Sequence, residues 1–213
     1  MDIKIKVLVI CDDIYHHEEI IKGGLDFLRS ECGLDYALDM TDKQLSDYSV
    51  VIFAKDNIKS KSNTEKWLTQ DIEKQFEDYI NNGGGMIFLH AGAVICRESA
   101  ILKNIAGCAF ESHPEQCVVD FNITAQHIIT SGASDFAEKD EHYFIDFIAT
   151  DAEIFLESKS EHGTQPAGYS RIHGKGRVCT LTPGHNLNVF ENPQYQKMIR
   201  NAVYWCAKSP EQQ

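Results

Sequence analysis

The sequence predicts an α/β fold: a mainly parallel sheet with helices on both faces and extra β-hairpin structure in the second half. Three observations lead there. Continuous apolar runs, Val7-Leu8-Val9-Ile10, Val50-Val51-Ile52-Phe53 and Met86-Ile87-Phe88-Leu89, read as strands buried on both faces. Segments with helical spacing separate them, and right-handed crossovers then place helices on both sides of the sheet. After a helix near residues 98–106, short strands separated by turns replace that rhythm.

Each element has its own signal. Residues 3–10 alternate apolar and polar before their apolar end, as a strand entering a core does. Residues 17–31 read as a helix with Ile20, Ile21, Leu25 and Leu28 near one face, and Gly23-Gly24 inside it imply close packing. A short strand is expected at 36–39 and a buried one at 49–54. Residues 70–82 form a helix capped by Thr69, with Asp71 and Glu73 at its positive end and Gly83 as its stop. The next strand runs from Gly84 to His90. In the second half, strands are expected at 117–124, 142–147, 152–157, 166–172 and 177–181, with Gly174-Lys175-Gly176 turning the last pair. Asn192 caps a final helix with Pro193 at its first position, and Tyr195, Ile199, Ala202, Val203 and Cys206 form its apolar face. No Gly/Ser/Pro-rich linker and no internal repeat divides the chain, so residues 1–213 read as one domain.

Composition narrows the functional classes. The chain of 213 residues carries 20 basic and 32 acidic side chains, a formal charge of −12. That balance opposes nucleic acid and anionic lipid as partners. No segment approaches the ~20 apolar residues of a membrane helix, and the N-terminus lacks a signal-peptide pattern. Seven widely spaced cysteines without a CxxC suit reduced thiols in a cytoplasmic protein, mostly small core residues.

Ligands of open parallel sheets bind at the C-terminal ends of the strands. Those ends and their loops carry Asp12-Asp13 with His16-His17, then His90, His113, Asp140-Glu141 and His185. His90 is the sharpest: it follows four apolar strand residues and precedes Ala91-Gly92, a strand-to-helix elbow that presents a side chain outward. An imidazole there serves as acid, base or metal ligand. Asp12 and Asp13 either bind a sugar hydroxyl or cap the following helix. Tyr169 either stacks on a sugar or packs in the core. Gly83-Gly84-Gly85 ends a helix and enters a strand, the wrong order for a phosphate loop.

The string Gly83-Gly84-Gly85-Met86-Ile87-Phe88-Leu89-His90-Ala91 resembles the glycine-rich LHA signature of the trehalose-utilisation (ThuA-like) family. So do His17-Glu18-Glu19-Ile20-Ile21-Lys22-Gly23, Ser112-His113-Pro114, Asp140-Glu141-His142-Tyr143, Gly174-Lys175-Gly176-Arg177-Val178 and Pro183-Gly184-His185, in order along nearly the whole chain. The resemblance implies a flavodoxin-like fold of the class I glutamine amidotransferase-like superfamily and a role with disaccharides or their keto derivatives. Carried over by position, its candidate residues are His17, His90, His113, Glu141 and His185. The chain departs from the family where Ile128 follows His127 in place of proline, and where Tyr169 stands near the family's tryptophan. Working amidotransferases carry a cysteine at the elbow, which here is His90, so glutaminase chemistry is not expected.

The expectation is an enzyme of carbohydrate metabolism with His90 and Glu141 as the acid–base pair. Asp12, His17, His113, Tyr169 and His185 are the substrate-binding candidates. No cofactor is required by the sequence; a divalent metal is compatible with the His and Glu set, and a homodimer with the edge strands. A non-catalytic sugar-binding or regulatory module and a metal-dependent hydrolase or lyase are the alternatives.

Overall fold

The computed structural model describes residues 5–208. The first half runs β1 (Ile5–Cys11), α1 (Glu18–Gly24), β2 (Cys32–Ala37), β3 (Val50–Ala54), α2 (Gln70–Asn81), β4 (Gly85–Leu89) and α3 (Ala100–Ala106). Then come β5 (Cys108–Ser112), β6 (Cys117–Ile123), β7 (Phe136–Asp140), β8 (Phe144–Phe147), β9 (Glu153–Ser160), β10 (Gly163–His173) and β11 (Gly176–Leu181). Helices α4 (Leu187–Glu191) and α5 (Pro193–Cys206) close the chain.

One nine-stranded sheet organises these elements in the order β2-β1-β3-β4-β11-β10-β9-β6-β7. The strands from β2 to β11 pair in parallel, and those from β11 to β7 pair antiparallel. The expected hairpins thus extend the same sheet, while β5 and β8 form a separate pair.

Alternation along the buried strands makes two cores. Val7, Val9, Ile52, Ala54, Ile87 and Leu89 face Ile21 of α1, Phe190 of α4 and Met198 and Ile199 of α5. Leu8, Ile10, Val51, Phe53, Met86 and Phe88 face Phe76 and Ile80 of α2 and Leu102 and Ile105 of α3. Caps fix where the helices begin: the Thr69, Ser99 and Asn192 side chains accept the N–H groups of Ile72, Leu102 and Gln194. Burying Met198, Ile199 and Val203 contributes about 1.5–3 kcal/mol each, so docking rather than intrinsic helicity holds α5 in place.

Several boundaries differ from expectation. The helix expected at 17–31 stops at Gly24, and a 3-10 turn at Asp26–Ser30 keeps Leu28 in the core while steering the chain into β2. A Cβ on Gly24 would lie 2.5 Å from the Phe190 ring, the close packing that Gly23-Gly24 implied. The strand expected at 36–39 lies at Cys32–Ala37, where its backbone pairs with β1 from Ile5 to Ile10. The strand expected at 142–147 forms over Phe144–Phe147 as β8, while β7 (Phe136–Asp140) was not expected, and the chain turns between them at Glu141–Tyr143. The β10–β11 hairpin forms as expected, with Gly174 at φ +57°. Residues 3 and 4 of the first expected strand lie outside the described residues. No helix among the described residues is long and apolar enough to cross a membrane.

Candidate functional site

The floor of the site is the β4 elbow. His90 has φ +45°, a left-handed conformation that non-glycine residues adopt only where surrounding structure enforces it. Gly92 enforces it in part, because a Cβ there would lie 2.3 Å from the Phe53 carbonyl oxygen. His90 is 1% exposed, and the Tyr143 ring stacks on it at 4.2 Å. Its Nδ1 lies 2.8 Å from the Thr182 carbonyl. A carbonyl only accepts, so Nδ1–H donates and Nε2 keeps a lone pair in the neutral ring.

His16 arrives from the loop after β1. The buried Asp13 carboxylate accepts the backbone N–H groups of Tyr15 and His16, an Asx turn that folds the loop back, and also that of Asp56. Both Asp13 oxygens lie 3.0 Å from His16 Nδ1. Burial alone would raise the Asp13 carboxyl, but His16 and the backbone N–H groups hold it below its ordinary value. Burial lowers the His16 pKa despite Asp13.

Glu141 and His185 come from opposite parts of the sheet. Asp140, the last residue of β7, accepts the backbone N–H groups of Gly184 and His185 and so sets Glu141 beside the imidazole of His185. The Glu141 carboxylate then lies 3.1 Å from His185 Nδ1, 3.4 Å from His90 Nε2 and 3.5 Å from His113 Nε2. Burial opposes the Glu141 anion, but His185 and His90 outweigh it and hold the carboxyl far below the usual carboxylate range. Burial likewise opposes a charged His185, and Glu141 more than compensates, raising its pKa. The cluster grades outward: His90 is 1% exposed, Glu141 10%, His185 19% and His113 35%.

One atom from each of His16, His90, Glu141 and His185 lies within 4.8 Å of the others. His16 Nε2, His90 Nε2 and His185 Nδ1 are buried and have no hydrogen-bond partner among the described residues. Together these groups supply three imidazole nitrogens and one carboxylate, a set able to hold a metal.

The structure therefore gathers four of the candidates read from sequence, His90, His113, Glu141 and His185, and leaves three outside. His17 is exposed, with Nε2 against the Ile14 carbonyl, and its neighbour His16 occupies the cluster instead. Asp12 is buried, and its two oxygens accept the backbone N–H groups of Glu18 and Lys61; it staples loops and offers no free oxygen edge to a sugar. Tyr169 is fully buried against Phe147, so no face remains for stacking on a sugar. Sequence reasoning missed the partnerships of Asp13 with His16 and of Asp140 with His185. The available signal was Asp13 three residues before His16, the spacing of an Asx turn. Cys96 is buried, which pushes its thiol pKa well up and removes it as a nucleophile.

A family model described as "Trehalose utilisation" (ThuA) matches residues 6–206. No functionally curated protein matches the chain. Among solved structures, a ThuA-like protein from Parabacteroides merdae superposes with a TM-score of 0.79 at 16% identity, covering 96% of this chain and 90% of that one. A ThuA-like protein from Bacteroides uniformis gives 0.73 at 18% identity, covering 95% and 91%. A glutamine amidotransferase from Thermotoga maritima gives 0.62 at 12% identity, covering 96% and 99%, which shows a shared fold. With its family match covering all of the sheet but Ile5 and every residue of the histidine cluster, the chain belongs to the ThuA, trehalose-utilisation family.

Proposed function

We propose that this protein is a carbohydrate-metabolism enzyme that acts on the keto derivative of a disaccharide by His/Glu acid–base chemistry. The observation that carries the reading is Glu141, a persistent anion flanked by imidazoles from three separate loops that grade from buried to exposed.

The exposed end moves the proton. His113 Nδ1 lies 2.7 Å from the Pro114 carbonyl, so Nδ1–H donates and Nε2 is the reactive nitrogen. That nitrogen faces Glu141 at 3.5 Å and is the atom that takes the proton. The buried end gathers His16, His90 and His185 around the place where the ketone oxygen would sit. His185, whose pKa Glu141 raises, is the ring that donates a proton to that oxygen as it gains negative charge. A carbon next to a ketone matches both ends, because removing its proton puts charge on the neighbouring oxygen. His90, buried and tied to Thr182, shapes the floor, while the proton-moving role falls to His113.

The test is incubation of the purified protein with trehalose, sucrose and their 3-keto forms, followed by product analysis. Consumption of the keto forms, lost in His113→Ala and Glu141→Gln, is the expected result. Saturable sugar binding without product would make the protein a binding module and contradict the reading.

A further inference from the structure

We infer that His16, His90, His185 and Glu141 form a binding site for one divalent first-row transition ion. The inference rests on the same cluster as the proposed function but needs no particular sugar.

The first argument is the pattern of unpaired nitrogens. His16 Nε2, His90 Nε2 and His185 Nδ1 are buried, and leaving a buried polar atom without a partner is destabilising. Three such atoms in one cluster need a common occupant. Glu141 does not satisfy them by itself. It lies 3.1 Å from His185 Nδ1 and 3.4 Å from His90 Nε2, yet neither approach has hydrogen-bond geometry.

The second argument is the ring arrangement. Imidazoles converging tetrahedrally on an ion at 2.0–2.1 Å place their ring centroids roughly 5.2 Å apart and adjacent donor atoms roughly 3.3 Å apart. The observed centroids are 5.0 Å apart for His16 and His90, 5.2 Å for His16 and His185, and 5.6 Å for His90 and His185. The Glu141 Oε1–His185 Nδ1 separation of 3.1 Å already matches a donor–donor edge, while His90 Nε2 meets the other carboxylate oxygen, Oε2, at 3.4 Å. The widest donor separation is within 4.8 Å, so small side-chain rotations complete the shell.

The third argument is the outer shell. Asp13 binds His16 Nδ1, the Thr182 carbonyl binds His90 Nδ1, and Asp140 holds the backbone N–H of His185. Each ligating ring or its backbone is thereby fixed by an acceptor, which is how metal-binding histidines are oriented. Three imidazoles and one carboxylate select zinc, manganese, iron, cobalt or nickel over magnesium or calcium, which prefer all-oxygen sites. The ligand class that fits such an ion beside His113 is an α-hydroxy ketone, whose two oxygens chelate a divalent cation.

The test uses the untagged full-length protein, stripped with a chelator and titrated with Co²⁺ alone. Saturation at one equivalent with visible ligand-field absorption is the expected result. Affinity should fall by roughly tenfold or more in His16→Ala and Glu141→Gln and stay unchanged in His17→Ala, whose ring is outside the cluster. His90→Asn, which tolerates the positive φ at that position, checks that the loss follows the ligand and not the fold. No saturable binding, or binding that falls less than this or falls equally in His17→Ala, overturns the assignment. Metal binding without sugar turnover leaves the site standing and removes the substrate reading; sugar turnover without saturable Co²⁺ binding does the reverse.

Discussion

Asp140 grips His185 across the sheet: its carboxylate accepts the His185 backbone N–H at 3.0 Å and that of Gly184 at 2.8 Å. Asp140 ends β7, the outermost strand, whereas His185 follows β11, four strands inward in the sheet order. The antiparallel half of the sheet therefore curls back over the C-terminal ends of the parallel half. One buried carboxylate fixes that closure and, through it, the position of Glu141.

Asp140→Asn tests the closure. Asparagine offers one carbonyl oxygen where two N–H groups need acceptors, and its own amide hydrogens face donors. Urea unfolding should show a loss of about 1–3 kcal/mol, accompanied by reduced turnover. Unchanged stability and activity would mean that the loops hold their places without this side chain.

Gly92→Ala tests the elbow. The new methyl would meet the Phe53 carbonyl oxygen at 2.3 Å, and backbone cannot yield as a flexible side chain does. The expected destabilisation is about 1–3 kcal/mol. Gly33→Ala is the control, since its nearest neighbour would be the Ile5 oxygen at 3.9 Å. Thermal melts of the two variants should separate clearly.

Lys55 gives a pH dependence away from the site. Its side chain is fully buried, and Nζ donates to the Leu38 and Lys59 carbonyls at 2.7 Å each. Burial lowers its pKa from 10.5 to about 8. Between those values the unfolded chain binds more protons than the folded one, so stability rises with pH across that window. The full effect is about 3 kcal/mol. The difference between parent and Lys55→Met in urea unfolding should therefore grow in the parent's favour from pH 8 to 10.5. A pH-independent difference would contradict the lowered pKa.

Much of the fold was legible in residue pattern. β1, β3 and β4 announce themselves as apolar runs, and α2 and α5 carry both periodicity and caps. β5 and β7 were not legible, because Cys108–Ser112 and Phe136–Asp140 are short and partly charged, and only their partners make them strands. The site was legible where strand ends dictate it, at His90 and His185. It was misread at His17, where choosing between adjacent histidines depends on the turn that Asp13 imposes. The curl that brings Glu141 to His185 is a property of nine strands together and leaves no local mark.

The most direct measurement compares kcat/KM of His16→Ala and His17→Ala on 3-keto-trehalose, with folding of both verified. If the buried His/Glu cluster is the working centre, His16→Ala loses roughly tenfold or more while His17→Ala stays close to the parent. Equal losses, or a larger loss in His17→Ala, would place the chemistry elsewhere.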